Sequence, residues 1–96
     1  MKSRFDIEFL ETATEVLRAI AHPIRIAIVD LLRAKKRLSV TEIHEHLSIE
    51  QAIASHHLRI LKDKSILVAQ RDGKNTFYSL RENDFSKIIS SLEKLL

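Results

Sequence analysis

The sequence predicts a mainly α-helical (α+β) domain in the order α-α-α-α-β-β-α, with one two-stranded hairpin near its end. Three observations carry this. Apolar residues recur at helical spacing through much of the 96-residue chain. Ser39-Val-Thr-Glu42 and Ser48-Ile-Glu-Gln51 each have the serine and acid or amide spacing of a helix-opening capping box. Asp72-Gly73, the dipeptide favoured in tight hairpins, lies between two short β-prone runs. A single Gly and a single Pro leave little material for long loops or a many-stranded sheet.

The elements follow in order. Residues 6–20 place Phe9, Leu10, Ala13, Val16, Leu17 and Ile20 on one helical stripe. His22-Pro23 opens the next helix, because proline suits the first helical position, where no amide is needed. Its run I-R-I-A-I-V-D-L-L-R is apolar nearly all round, so it is expected to be the central buried helix, ended by the basic R-A-K-K-R run. The first capping box then starts a short helix with Val40, Ile43 and Leu47 inward. The second starts another, from about Ile49 to Lys64, after a tight turn near Leu47–Glu50. Residues 66–71 and 76–80 read as strands around the turn at 72–75. Asn83 is a candidate cap for a last helix whose stripe is Phe85, Ile88, Ile89, Leu92, Leu95 and Leu96. Two helices joined by a tight turn, followed at once by a basic hairpin, make a winged helix-turn-helix. It occupies 1–96 as a single domain: helix-turn-helix about 39–64, wing about 66–80, terminal helices about 6–20 and 83–96.

Composition narrows the function. Apolar residues at 45% and charged residues at 30% are ordinary for a globular domain. With no cysteine, disulfides, thiol redox switches and thiolate metal sites are excluded. No apolar run approaches the ~20 residues of a membrane span, and the N-terminus has no apolar signal core, so a cytoplasmic location without a membrane partner is expected. The net charge of +3 is uneven: residues 33–37 carry +4, residues 38–50 carry −3 and residues 51–81 carry +4. Basic segments on a moderate total suit a nucleic-acid binder or a plain solvated surface. Paired carboxylates, a glycine-rich phosphate loop and a nucleophile–base motif are all missing, so an enzyme is not expected.

The adjacent histidines at 56 and 57 are the most pointed feature. With about 100° per residue and Gln51 at zero, Ile53, Ala54, Leu58, Ile60 and Leu61 define an apolar arc. His57, at about 240°, falls inside it and is expected at the core edge with its ring nitrogen hydrogen-bonded. His56, at about 140°, falls outside with Gln51, Ala52, Ser55, Arg59, Lys62 and Asp63. Side chains that meet on a helix are three or four apart, so the pair cannot clasp one metal. The outer face is short, polar and basic, as suits a helix laid in a major groove. His44 and His46 point to different faces and read as solvated; His22 reads as a cap or packing residue.

The chain resembles the ArsR/SmtB family of bacterial winged-helix repressors. The likeness rests on A-H-P-I-R-I-A-I-V-D-L-L at 21–32, L-S-V-T-E-I at 38–43, S-H-H-L-R-I-L at 55–61 and R-D-G-K-N-T-F-Y-S-L at 71–80. With the flanking helices these cover nearly the whole chain. The resemblance implies a homodimer, built from the first and last helices, that binds an imperfect palindromic operator in double-stranded DNA and represses transcription. Phe9, Leu10, Ala13, Leu17, Phe85, Ile88, Ile89, Leu92 and Leu96 are the expected interface.

The family's usual metal sites do not fit. Ser39 and Thr41 stand where the thiolate site has cysteines, and Ser39 is better explained as a cap. Asp84 matches the last-helix site, but Ser86 replaces its histidine, and no histidine follows His57. No metal or other cofactor is expected, and the sequence names no inducer.

Expected DNA contacts are Ser55, His56 and Arg59 on the recognition helix, with Arg59 on guanine or phosphate. Gln51 is divided between a base contact and the capping box. Lys62 holds phosphate or is solvated. Arg71, Lys74 and Asn75 on the wing reach the minor groove or flanking phosphates, and Thr41 sits where helix amides favour a phosphate. Ile53 is assigned to packing. Two other readings stay open: a module for a protein or RNA partner, and a metal-responsive repressor with a non-standard His/carboxylate site.

Overall fold

A computed structural model describes residues 1–96. The elements are α1 (Ile7–Ile20), α2 (Pro23–Lys35), β1 (Leu38–Ser39), α3 (Val40–Leu47), α4 (Gln51–Asp63), β2 (Leu67–Asp72), β3 (Asn75–Leu80) and α5 (Asp84–Leu95). The five helices and the hairpin match the expected winged helix-turn-helix. The sheet has one more strand than the wing alone: β1 pairs antiparallel with β3, giving the order β1-β3-β2. Two residues are too few to show periodicity, so β1 is set by its partner, with Leu38 opposite Tyr78 and Ser39 opposite Phe77.

Local chemistry fixes most ends. The Asp6 carboxylate accepts from the Phe9 amide at 2.8 Å and starts α1. His22 caps α2, its Nδ1 accepting from the Ile24 amide at 3.1 Å, with Pro23 next. Ser39 and Glu42 complete a reciprocal capping box on α3, at 2.9 and 3.1 Å. The Ser39 amide bond also holds the Glu42 carboxyl below its ordinary pKa.

The second capping box does not form. Ser48 is the left-handed C-cap of α3 (φ 54°, ψ 46°), and Glu50 precedes α4 without a side-chain cap bond. The reason lies in the preceding helix. The Ser48 and Ile49 amides turn back to the Glu45 and His44 carbonyls and close α3, so α4 begins two residues later, with Glu50 and not Ser48 at its N-cap. Asn83 likewise flanks α5 without a side-chain cap bond; its carbonyl accepts from the Ser86 hydroxyl at 2.6 Å.

The core is one cluster centred on α2. Ile28, Val29 and Leu32 meet Ala19 and Ile20 of α1, Ile43 of α3, Ala54, Leu58 and Leu61 of α4, and Leu38, Ile66 and Leu67 at the sheet. Only one side of α2 is fully buried; Ile24, Ile26 and Leu31 are partly covered. α1 joins the core only through its last turns, leaving Ile7, Phe9 and Leu17 exposed. No helix is long and apolar enough to cross a membrane.

Candidate nucleic-acid interface

α3 and α4 pack against each other across the Ser48 turn. α4 buries Ala54, His57, Leu58 and Leu61, which fixes its rotation on the core. The opposite face presents Gln51, Ala52, Ser55, His56, Arg59 and Lys62, all exposed, as the projection predicts. The Gln51 side chain makes no hydrogen bond within the chain, so the capping-box alternative for it is removed. Arg59 and Lys62 are in no ion pair.

Ile53 belongs to this face and not to the core, with 39% of its surface exposed. It sits at the edge of the apolar arc beside His56, and it is not among the residues packed against the core cluster. The projection gave it an interior place only because it is apolar. A methyl-bearing side chain exposed beside these polar residues has the chemistry to meet thymine methyl groups, so Ile53 joins the candidate set.

The wing flanks this face. Asp72 pairs with Asn75, leaving Gly73 and Lys74 as the two-residue turn. Of these only Gly73 takes a positive φ, 64°, as in a type II′ turn. Arg71, Lys74 and Asn75 are exposed. Arg37 braces the wing, its guanidinium 3.9 Å from the Phe77 ring centroid and 3.7 Å from the Asp72 carboxylate. Between wing and helices lies an open cleft of about 230 Å³, lined by Ser39, Val40, Thr41, Gln51, Lys74, Asn75, Thr76 and Tyr78. Four predicted contact residues from three elements therefore meet there: Thr41, Gln51, Lys74 and Asn75.

The histidines divide as the helix geometry requires. His56 is exposed and His57 is 8% exposed. The His57 ring packs on His22, centroids 4.3 Å apart, and meets His56 edge-on at 5.0 Å. The expected hydrogen bond at its buried Nδ1 is not made. His44 is not simply solvated: it is partly covered, with Nδ1 3.2 Å from the Ile49 carbonyl, tying α3 to the turn. No three histidine or carboxylate groups converge where a metal ion could sit.

Burial, and then the charges of His22, His56 and Arg25, lower the His57 pKa below its ordinary 6.5. Below about pH 6.5 the unfolded chain therefore binds a proton that the folded chain resists. Stability contributed by neutral His57 is full above that pH and lost as pH falls toward the folded pKa. Urea unfolding midpoints are expected to drop between pH 7.5 and 5.5, with a smaller drop in His57→Leu. An equal drop in the variant would assign the effect to other groups.

On the expected dimer surfaces, Phe9, Leu17, Leu92 and Leu96 are exposed, and Leu10 and Ala13 partly so. Phe85, Ile88 and Ile89 are partly spent on the chain's own core.

Known proteins share both the sequence and this arrangement. A family profile described as a helix-turn-helix domain matches residues 20–71. The HTH-type transcriptional repressor SmtB of Mycobacterium tuberculosis is 39% identical over 82 residues, 85% of this chain and 60% of that protein. The chain thus spans less than two thirds of that relative. The crystal structure of the transcriptional repressor PagR of Bacillus anthracis superposes with a TM-score of 0.81 at 34% identity, covering 91% of this chain and 99% of PagR. A homodimeric winged helix-turn-helix DNA-binding domain of Mycobacterium bovis, a possible ArsR-family regulator, superposes with a TM-score of 0.80 at 25% identity, covering 99% of this chain and 89% of that one. Matched by a helix-turn-helix profile over residues 20–71 and by winged helix-turn-helix structures along nearly its whole length, the chain belongs to the ArsR/SmtB-type winged helix-turn-helix transcriptional regulators.

Proposed function

We propose that this protein is a sequence-specific, double-stranded DNA-binding transcriptional repressor, acting in the cytoplasm as a homodimer on a palindromic operator. The observation that carries the reading is the unpaired, exposed face of α4 beside the wing cations, with the core holding the opposite face of the helix. Ser55, His56, Arg59 and Ile53 enter the major groove, and Gln51 reaches a base from the first turn. Thr41 and Lys74 take a phosphate at the cleft between α3 and the wing, where the first amides of α3 add partial positive charge. Arg71 and Asn75 follow the adjacent minor groove or its phosphates, and Lys62 holds backbone at the far end of α4. The homodimer is supported by the uncovered apolar residues of α1 and α5, and by the homodimeric Mycobacterium bovis relative.

The test is selection of bound sites from a random duplex library with purified, metal-free protein at a stated salt concentration. The salt matters because each neutralised phosphate releases counterions and makes affinity salt-dependent. The expected result is an enriched palindrome with half-sites about one helical turn apart. Binding without a motif, lost as salt rises, would overturn the reading and turn attention to an RNA or acidic protein partner for the same face.

A further inference from the structure

Away from the recognition face, α1, α2 and the end of α4 border a second open cleft, of about 300 Å³, lined by Glu15, Arg18, Ala19, Arg25, Ile60 and Lys64. Three of these six residues are cations and one is a carboxylate. The charge is poorly matched within the chain. Lys64 lies 3.9 Å from Glu15, the outer limit of an ion pair, and Arg18 and Arg25 are in none. The Nε of Arg25 is buried and donates to nothing. Arg25 as a whole is only partly buried, but a buried N–H without an acceptor is costly, and proteins leave few of them.

Each element contributes through its own geometry. Arg18 and Ala19 come from the last turn of α1, Arg25 from the first turn of α2, and Ile60 and Lys64 from the end of α4. Ala19 and Leu61 belong to the one core cluster, so core packing, and not attraction, brings the turns that carry the three cations to one cleft. That placement works against mutual repulsion, and an anion between them would relieve it.

We propose that this cleft binds a small organic anion through carboxylate or phosphate oxygens, with Arg18, Arg25 and Lys64 as its partners. The planar guanidinium forks of Arg18 and Arg25 match the paired oxygens of either group. Ala19 and Ile60 supply an apolar wall for a short carbon frame. Glu15 opposes the anion and limits its affinity. Occupancy would also couple two parts of the molecule. It ties the end of the recognition helix to α1, so binding of the anion shifts affinity for DNA; this second step rests on the DNA-binding reading above.

Binding is tested first, without DNA. The full chain is titrated with orthophosphate and, separately, with succinate, at ionic strength held constant with sodium chloride. The readout is the nitrogen–proton correlation spectrum, including the Arg25 Nε–H resonance. The expected result is a saturable shift at Arg25 Nε–H and at the Ala19 and Lys64 amides with one or both probes. It should weaken at least tenfold in Arg18→Gln/Arg25→Gln and tighten several-fold in Glu15→Gln. Saturation by one probe alone identifies which oxyanion is preferred. If the double variant loses its dispersed spectrum, Lys64→Gln, whose side chain is half exposed, carries the same expectation. Absent shifts, linear shifts that chloride reproduces, or affinity unchanged in these variants would overturn the site. The selected operator duplex is then titrated with and without the saturating probe. Unchanged duplex affinity would overturn the coupling and leave the anion site standing, whereas failure to bind any specific duplex would count against the DNA-binding reading instead.

Discussion

Replacing Arg59 with alanine is expected to weaken operator binding about 10- to 100-fold per half-site, corresponding to roughly 1–3 kcal/mol. The fold should be untouched. Arg59 is exposed, in no ion pair, and on the face of α4 opposite Ala54, Leu58 and Leu61. Surface changes of this kind usually move stability by no more than about 0.5 kcal/mol. Lys94→Ala removes the same charge from an exposed position on α5, and should leave operator affinity nearly unchanged. Arg59→Lys decides which contact is lost. If the guanidinium grips guanine with two parallel hydrogen bonds, lysine relaxes preference at one base position while keeping the salt dependence. If it holds phosphate, lysine restores most of the affinity, and alanine lowers the salt slope by about one. Fluorescence anisotropy across a salt series reads all three variants. An Arg59→Ala protein that binds like the parent would remove α4 as the reading element.

Helical periodicity made most of the architecture legible, because each helix has one buried side and its spacing shows directly. The same principle placed His57 inside and His56 outside. What it could not supply was the surroundings of each direction. Ile53 and Ile60 lie at the same edge of the apolar arc; Ile60 is the more covered of the two, and Ile53 keeps 39% of its surface exposed. The difference lies in which neighbours pack there, which no local pattern encodes. Ser48 shows a second limit. It satisfies the capping-box spacing for α4, yet closing α3 uses the same residue in a left-handed conformation, and that demand wins. β1 shows a third, since a two-residue strand exists only through its partner. Both clefts depend on approach between distant segments: Thr41, Gln51 and Lys74 in one, Arg18, Arg25 and Lys64 in the other. Their residues were visible as polar surface, and the contact set of the first was named, but its convergence was not.

Leu17→Glu is expected to convert the dimer to monomer at micromolar concentration and to reduce operator affinity by about 10²–10⁴, the range lost when two linked binding units are separated. The argument begins with how little of α1 the chain itself covers. Only Ala19 and Ile20 are buried, while Ile7 is 63%, Phe9 50% and Leu17 55% exposed. At the other terminus, Leu92 is 41% and Leu95 79% exposed. Covering one leucine is worth about 1.5–3 kcal/mol. A two-fold interface counts each residue twice, so a single buried glutamate brings two like charges into an apolar contact. In a monomer the same change lies at a position already more than half exposed and costs far less. Circular dichroism should therefore show a folded chain, while sedimentation equilibrium shows half the mass. Leu92→Glu tests α5 in the same way. If Leu17→Glu remains dimeric and holds its operator, α1 does not build the interface. If it becomes monomeric yet binds the full palindrome undiminished, each half-site is read independently, and the dimer contributes nothing to recognition.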